Sequence, residues 1–190
     1  MPAVSVSLTR DLIAYGRERL ARVRIALLWF GMTALAGPDA FSAVVIGLLL
    51  LLFRLWDDLA DANHDAMAHP TRVLPRSLHR DAFVTVACVT GLLAAGVLAM
   101  SRLRMQGELF VSTCAVLGGV YAVLPRTARR VRAALIPLKY PAMVAIGAAS
   151  WPLAWWQFAG GALLWLGIAA QDLAGEAVKS DPVNEVEGRS

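Results

Sequence analysis

Six apolar stretches, separated by short charged clusters, constrain this chain more than any other feature of its sequence. They are Leu20–Gly37, Ala40–Trp56 (with the block Leu48–Phe53), Ala82–Ser101, Leu109–Pro125, Ala133–Ser150 and Trp151–Gln171. Crossing the roughly 30 Å hydrocarbon layer of a bilayer takes about 20 helical residues. The third and sixth stretches have that length. The first and second reach it if their flanking arginines snorkel to the interface. The fifth carries Pro137, Lys139 and Pro141, so a kinked helix is expected there, tolerated where neighbours satisfy the freed carbonyls. The expectation is an all-α, polytopic transmembrane helical bundle of about six spans.

Composition supports that class and excludes others. Of 190 residues, 58% are hydrophobic and 17% charged, with a mean hydropathy of +0.59. Soluble domains sit near 45–50% apolar and about 25% charged. Disorder is excluded, because it needs low hydrophobicity and high net charge. Cys88 and Cys114 both lie inside apolar runs, where packing rather than redox chemistry is expected. The pI of about 9.6 suggests nucleic acid at first sight. However, the 16 Arg and 2 Lys cluster at the ends of apolar runs, the pattern that membrane topology demands. Nucleic-acid binding is therefore not expected.

The same charges set the orientation. With six crossings, fifteen Lys and Arg fall on the side of both termini, against Arg102 and Arg104 on the other side. The positive-inside rule then places both termini in the cytoplasm, in a multi-pass protein of a bacterial type of cell membrane. No cleavable signal peptide is evident. Residues 1–19 form an amphipathic N-terminal surface segment, with a helix over Thr9–Leu20. Residues 20–179 form the transmembrane helical domain, and 180–190 a polar tail.

The acidic residues collect at two span ends on that cytoplasmic side. Asp57, Asp58, Asp61 and Asp65 follow the second stretch, and Asp172 and Glu176 follow the sixth. Asp57, Asp61 and Asp65 are spaced i, i+4, i+8, which puts them on one helix face. Asp172 and Glu176 repeat the i, i+4 step. Like charges so spaced destabilise a helix, so a compensating charge is expected. Carboxylate oxygens select hard cations such as Mg²⁺, and two facing clusters could hold Mg²⁺ with a diphosphate between them. The alternative is a solvated acidic helix end. Ionisable groups at membrane depth mark function by default, which favours the first reading. The turn-rich loop after the first cluster holds Arg72 and Arg76, whose planar forks suit phosphate oxygens; Arg72 is the first candidate and Arg76 the second. Tyr121 and Arg126 close the fourth span in a similar way. Lys139 either faces the cavity or snorkels. His64, His69 and His79 match no zinc spacing.

These residues resemble the UbiA-type intramembrane prenyltransferases. Asp57-Asp58-Leu59-Ala60-Asp61-Ala62-Asn63-His64-Asp65 is similar to that family's first aspartate motif, with Asp57 where Asn is usual. Arg72-Val73-Leu74-Pro75 resembles the Arg-Pro-Leu-Pro segment that follows. Tyr121 and Arg126 are similar to a Tyr-x-x-x-Lys pattern, with the basic residue one place later. Asp172 to Glu176 resembles the second motif, with Glu for its last Asp. The resemblance implies a UbiA-like fold lacking the usual last three helices. It implies an Mg²⁺-dependent transfer of an isoprenyl group from a prenyl diphosphate to a small hydrophobic acceptor at the lipid bilayer. Asp57, Asp58, Asp61, Asp65, Asp172 and Glu176 are the implied metal ligands, Asp61 and Asp172 the implied catalytic pair, and Arg72, Arg76, Tyr121 and Arg126 the implied diphosphate contacts. Two other readings stand beside it. One is a non-catalytic or partner-dependent subunit of a homo- or hetero-oligomer. The other is an ion or metabolite carrier, disfavoured because both clusters lie on one side.

Overall fold

The computed structural model describes residues 8–101, 104–125 and 127–179, and every regular element among them is helical. In chain order these are α1 (Leu8–Tyr15), a π turn (Gly16–Leu20), α2 (Val23–Ala36), α3 (Ala40–Ala68), α4 (Val73–Arg76), α5 (Arg80–Met100), α6 (Arg104–Val123), α7 (Arg129–Leu135), a 3₁₀ turn (Ile136–Leu138), α8 (Lys139–Gly147) and α9 (Trp155–Lys179). Three of them, α3, α5 and α6, are long and apolar enough to cross a membrane, while α2 is apolar but shorter.

Helix α3 is the axis of the molecule, packing against α2, α5 and α8. Its start is encoded locally. Gly37 adopts a φ of 152°, open to glycine and costly for residues with a Cβ. Pro38 follows, and the Asp39 carboxylate accepts the Ser42 backbone N–H at 2.7 Å, an N-cap. Its inner face then supplies Val45, Ile46, Leu49, Leu50, Leu52 and Phe53 to a core closed by Met32, Ala94, Leu98, Phe110, Leu117, Met143 and Ile146. The apolar run ends at Trp56, yet the helix continues twelve residues further to Ala68. Leu59, Ala60, Ala62, Ala66 and Met67 are strong helix formers, and the acidic residues among them meet basic partners. His64 therefore lies on α3.

The expected fifth span does not form one helix. Pro137 and Pro141 lack amide donors, and the stretch 133–150 divides into α7, a 3₁₀ turn and α8. Pro141 sits in the first turn of α8, where its missing N–H costs no internal hydrogen bond. The break puts Lys139 at the first position of α8, only 3% exposed.

Polar groups at the end of the bundle near Asp39 are knitted together across elements. The Ser42 hydroxyl donates to the Gly147 carbonyl at 2.8 Å, Gln106 donates to Ala148, and Gln157 donates to Leu35 and Ala36. These bonds satisfy carbonyls at helix ends that have no intrahelical partner. The sides of α5 and α6 are exposed and apolar: Val89, Leu92 and Leu93 on one, Val111 and Val116 on the other. In water such a continuous apolar surface would be a liability; against lipid it is the expected one.

Candidate functional site

The carboxylates gather at the far end of α3 from Asp39, but not as one row. A residue step turns a helix by about 100°, so Asp58 and Asp65 lie about 20° apart around α3 and Asp57 and Asp65 about 80° apart. The structure accordingly groups Asp58 with Asp65, and directs Asp57 and Asp61 elsewhere.

Asp57 accepts from the Tyr121 hydroxyl of α6 and pairs with the Lys139 ammonium of α8. Asp58 is buried. It accepts the Tyr15 hydroxyl at 2.9 Å, and faces Arg19 at 2.9 Å and Arg54 at 3.4 Å. Asp61 faces Arg132 of α7 at 3.6 Å. Asp65 faces Arg72 at 2.5 Å and Arg19 at 3.5 Å. Four carboxylates thus meet five cationic side chains, drawn from the π turn, α3, the segment after α3, α7 and α8. The charge compensation that the acidic spacing requires is supplied here by the chain itself.

A cleft of about 260 Å³ opens among these groups, lined by Arg19, Arg54, Asp57, Asp58, Asp61, Asp65, Arg72, Tyr121 and Ile136. Its aromatic wall, Tyr121, is held by Asp57, Trp56 and Arg132. Trp56 stacks on Tyr121 with ring centroids 6.5 Å apart, and the guanidinium of Arg132 lies 5.2 Å over the same ring. The Nε of Arg54 is buried without a hydrogen-bond partner, leaving one unused donor beside the cleft.

The site expectations separate on this geometry. Asp57, Asp58, Asp61, Asp65, Arg72 and Tyr121 come together. Arg76 does not join them: it is exposed, and its guanidinium lies 3.5 Å from the Thr71 carbonyl. Asp172 lies on the exposed face of α9 and is not among the residues that line the cleft. Arg126 and the side chain of Glu176 lie outside the described residues. Tyr15, Arg19, Arg54 and Arg132 are in the site although their sequence positions mark only a surface helix or topological charges. Lys139 turns inward to Asp57, behind the cleft lining, rather than out to the interface.

Among the described residues, no group of three or more His, Cys, Asp or Glu side chains converges to hold a metal ion; each carboxylate is turned to a cation of its own. The donor set nevertheless suits Mg²⁺ in type. Its atoms are hard carboxylate oxygens, and the Arg19 guanidinium that bridges Asp58 and Asp65 marks a place where positive charge is already held.

Tyr15 shows the cost of this arrangement. Burial, together with the neighbouring Asp58 charge that its hydroxyl hydrogen-bonds, pushes its ionisation well above the usual tyrosine range. Charged groups withdrawn from water need such partners.

Compared with known protein families, curated proteins and solved structures, the chain finds no match.

Proposed function

We propose that the chain is a Mg²⁺-dependent intramembrane prenyltransferase with a UbiA-like, about six-span bundle, transferring an isoprenyl group from a prenyl diphosphate to a small hydrophobic acceptor. The observation that carries this reading is the cleft itself. Asp57, Asp58, Asp61 and Asp65 share a mixed-charge recess with Arg19, Arg54 and Arg72, next to an aromatic wall and at the end of an apolar helix. In this reading α2, the α7–α8 unit and α9 complete the spans begun by α3, α5 and α6, and the cleft opens on the cytoplasmic side with both termini.

The reaction balances simply. The allylic carbon–oxygen bond to diphosphate breaks, a bond to the acceptor forms, diphosphate leaves with the electron pair, and the acceptor loses a proton. Bound Mg²⁺ would supply neutralisation of the charge that develops on the departing diphosphate. The chain's own part is positioning. Arg72, and the unused N–H of Arg54, offer donors to phosphate oxygens. Asp58, Asp61 and Asp65 hold positive charge at the mouth, with Asp172 contributing from α9. Trp56 and Tyr121 give a dry face for the prenyl carbons, which keeps water from the reacting centre.

A specific observation favours a second reading, that of a non-catalytic or partner-dependent subunit. Every carboxylate of the first cluster is already matched by a cation of the chain, so the cluster also works as a structural clasp.

The deciding experiment is binding of a non-hydrolysable farnesyl or geranylgeranyl thiodiphosphate to the chain in nanodiscs, with and without Mg²⁺. Saturable binding that needs Mg²⁺ and is lost in Asp61→Ala is the result expected for a prenyltransferase. No binding at millimolar ligand by a folded protein overturns it and leaves the clasp.

A further inference from the structure

A cavity of about 670 Å³ opens at the Asp39 end of the bundle, among Asp39, Phe41, Val97, Met100, Ser101 and Gln106. That volume lies within the roughly 300–1,000 Å³ of small-molecule sites. Asp39 caps the start of α3 and Asp57 lies on the same unbroken helix. At 1.5 Å per residue the two are about 27 Å apart. The cavity is therefore separate from the carboxylate cleft and from the reaction proposed there.

The polar groups of its wall have acceptor capacity to spare. Gln106 is 0% exposed. Its amide nitrogen donates to the Ala148 carbonyl, but its Oε1 is buried with no hydrogen-bond partner among the described residues. A buried acceptor left unmet costs free energy that a bound donor recovers. One oxygen of Asp39 accepts the Ser42 N–H. Among the described residues no cation pairs with that carboxylate, whereas each aspartate of the distant cleft faces one. The Ser101 hydroxyl is already used, donating to the Leu98 carbonyl at 2.7 Å. Phe41, Val97 and Met100 make the apolar part of the wall, and Met100 is 87% exposed.

We propose that this cavity is a second ligand site, which takes a hydrophobic primary amine in its ammonium form. An ammonium group carries a positive charge and three N–H donors. It meets the Gln106 Oε1 and the Asp39 carboxylate with the two things they lack, and a charge-assisted bond to a carboxylate is among the strong ones. The alkyl chain lies against Phe41, Val97 and Met100. An alcohol would bring a donor without the charge, and a quaternary ammonium the charge without a donor. A phosphate-bearing headgroup needs cations, and the described lining has none. Arg104, two residues before Gln106, is 94% exposed and faces Glu108 instead.

Radiolabelled octylamine is the probe, bound at neutral pH to the full chain in phosphatidylcholine nanodiscs, with empty discs subtracted. Saturable binding is expected, with octanol and octyltrimethylammonium each competing at least about tenfold more weakly than unlabelled octylamine. Asp39→Asn keeps a good N-cap and removes the charge, and is expected to weaken binding at least about tenfold. Gln106→Met, which removes the unmet acceptor, is expected to weaken it severalfold. Glu108→Gln removes an exposed charge near the start of α6, as Gln106 is, and is expected to leave the affinity within about twofold of the wild type. No saturable binding, octanol competing as well as octylamine, or equal affinities for Asp39→Asn and Glu108→Gln overturn the site. Wild-type affinity in Gln106→Met also overturns it, and leaves water to meet that acceptor. If Gln106→Met does not fold, Asp39→Asn decides against the same control. Loss of octylamine binding in discs that contain phosphatidylethanolamine would make a lipid headgroup the occupant and overturn the free amine. Thiodiphosphate does not enter these measurements, so the site and prenyl transfer stand or fall separately.

Discussion

Asp57 adds a negative charge to a cluster that already holds three carboxylates, and Lys139 brings a positive one into an apolar stretch. The structure joins them, with Tyr121 as the third member. Each charge therefore answers the other. Removing one partner of a buried pair strands the second charge, at a cost of about 3–5 kcal/mol, whereas replacing both is often nearly neutral. Lys139→Met is thus expected to be strongly destabilised in thermal unfolding in detergent. The double change Asp57→Asn with Lys139→Met is expected to recover most of that loss. The same logic applies to Tyr15, whose ionisation is raised in the folded state. Its contribution is complete below pH about 10, where the unfolded tyrosine is still neutral. Above that, the unfolded state releases a proton that the folded state keeps. The wild type should therefore lose stability faster than Tyr15→Phe as pH rises past 10, by about 1.4 kcal/mol per pH unit. Parallel slopes in alkaline unfolding curves would count against the Tyr15–Asp58 bond. At this scale the sequence reading identified the acidic residues, because their spacing is local. It missed Arg19, Arg54 and Arg132 as site residues, because a topological arginine and a site arginine look alike until the chain is folded.

Helices were legible where apolar composition and length agree, as in α5 and α9, the third and sixth stretches. The reading failed at element ends. Trp56 closes the apolar run but not α3, since helix propensity and charge pairing carry it to Ala68. Pro137 and Pro141 do more than kink the fifth stretch: they divide it. The expected surface helix over Thr9–Leu20 becomes α1 and a π turn, one side of which is buried against the bundle. Gly37 tests the connection between α2 and α3. Its φ of 152° disfavours any side chain, and an added Cβ would stand 2.9 Å from the Cβ of Ala149. Gly37→Ala should cost about 1–3 kcal/mol, measured as a lower midpoint in thermal unfolding, with the helical content of the folded protein unchanged.

The molecule turns apolar sides of α5 and α6 outward and collects its buried charges, Arg19, Asp58, Asp65 and Lys139, at one end of α3. Cys88 reports on the first property, since it is exposed midway along α5. In intact vesicles a charged, membrane-impermeant maleimide should leave Cys88 unlabelled from either side, and label it once the protein is denatured in detergent. Fast labelling in intact vesicles would mean that α5 lies in water. The class of the molecule was legible because hydropathy averages over many residues. The pairing of each carboxylate with a cation was not, because those partners come from five separate parts of the chain.

One helix, α3, carries both the largest single share of the core and the four clustered aspartates, with no break between Ala40 and Ala68. Its residue count therefore acts as a rotational register. Deleting one residue between Phe53 and Trp56 would turn the aspartates by about 100° relative to the core face, carrying Asp58 away from Arg19 and Asp57 away from Lys139 at once. Length changes in homologous chains should accordingly be absent from α3 and gather instead in the turns after Ala68 and Val123. A collection of such chains, once aligned, can be checked for this by inspection of gaps alone.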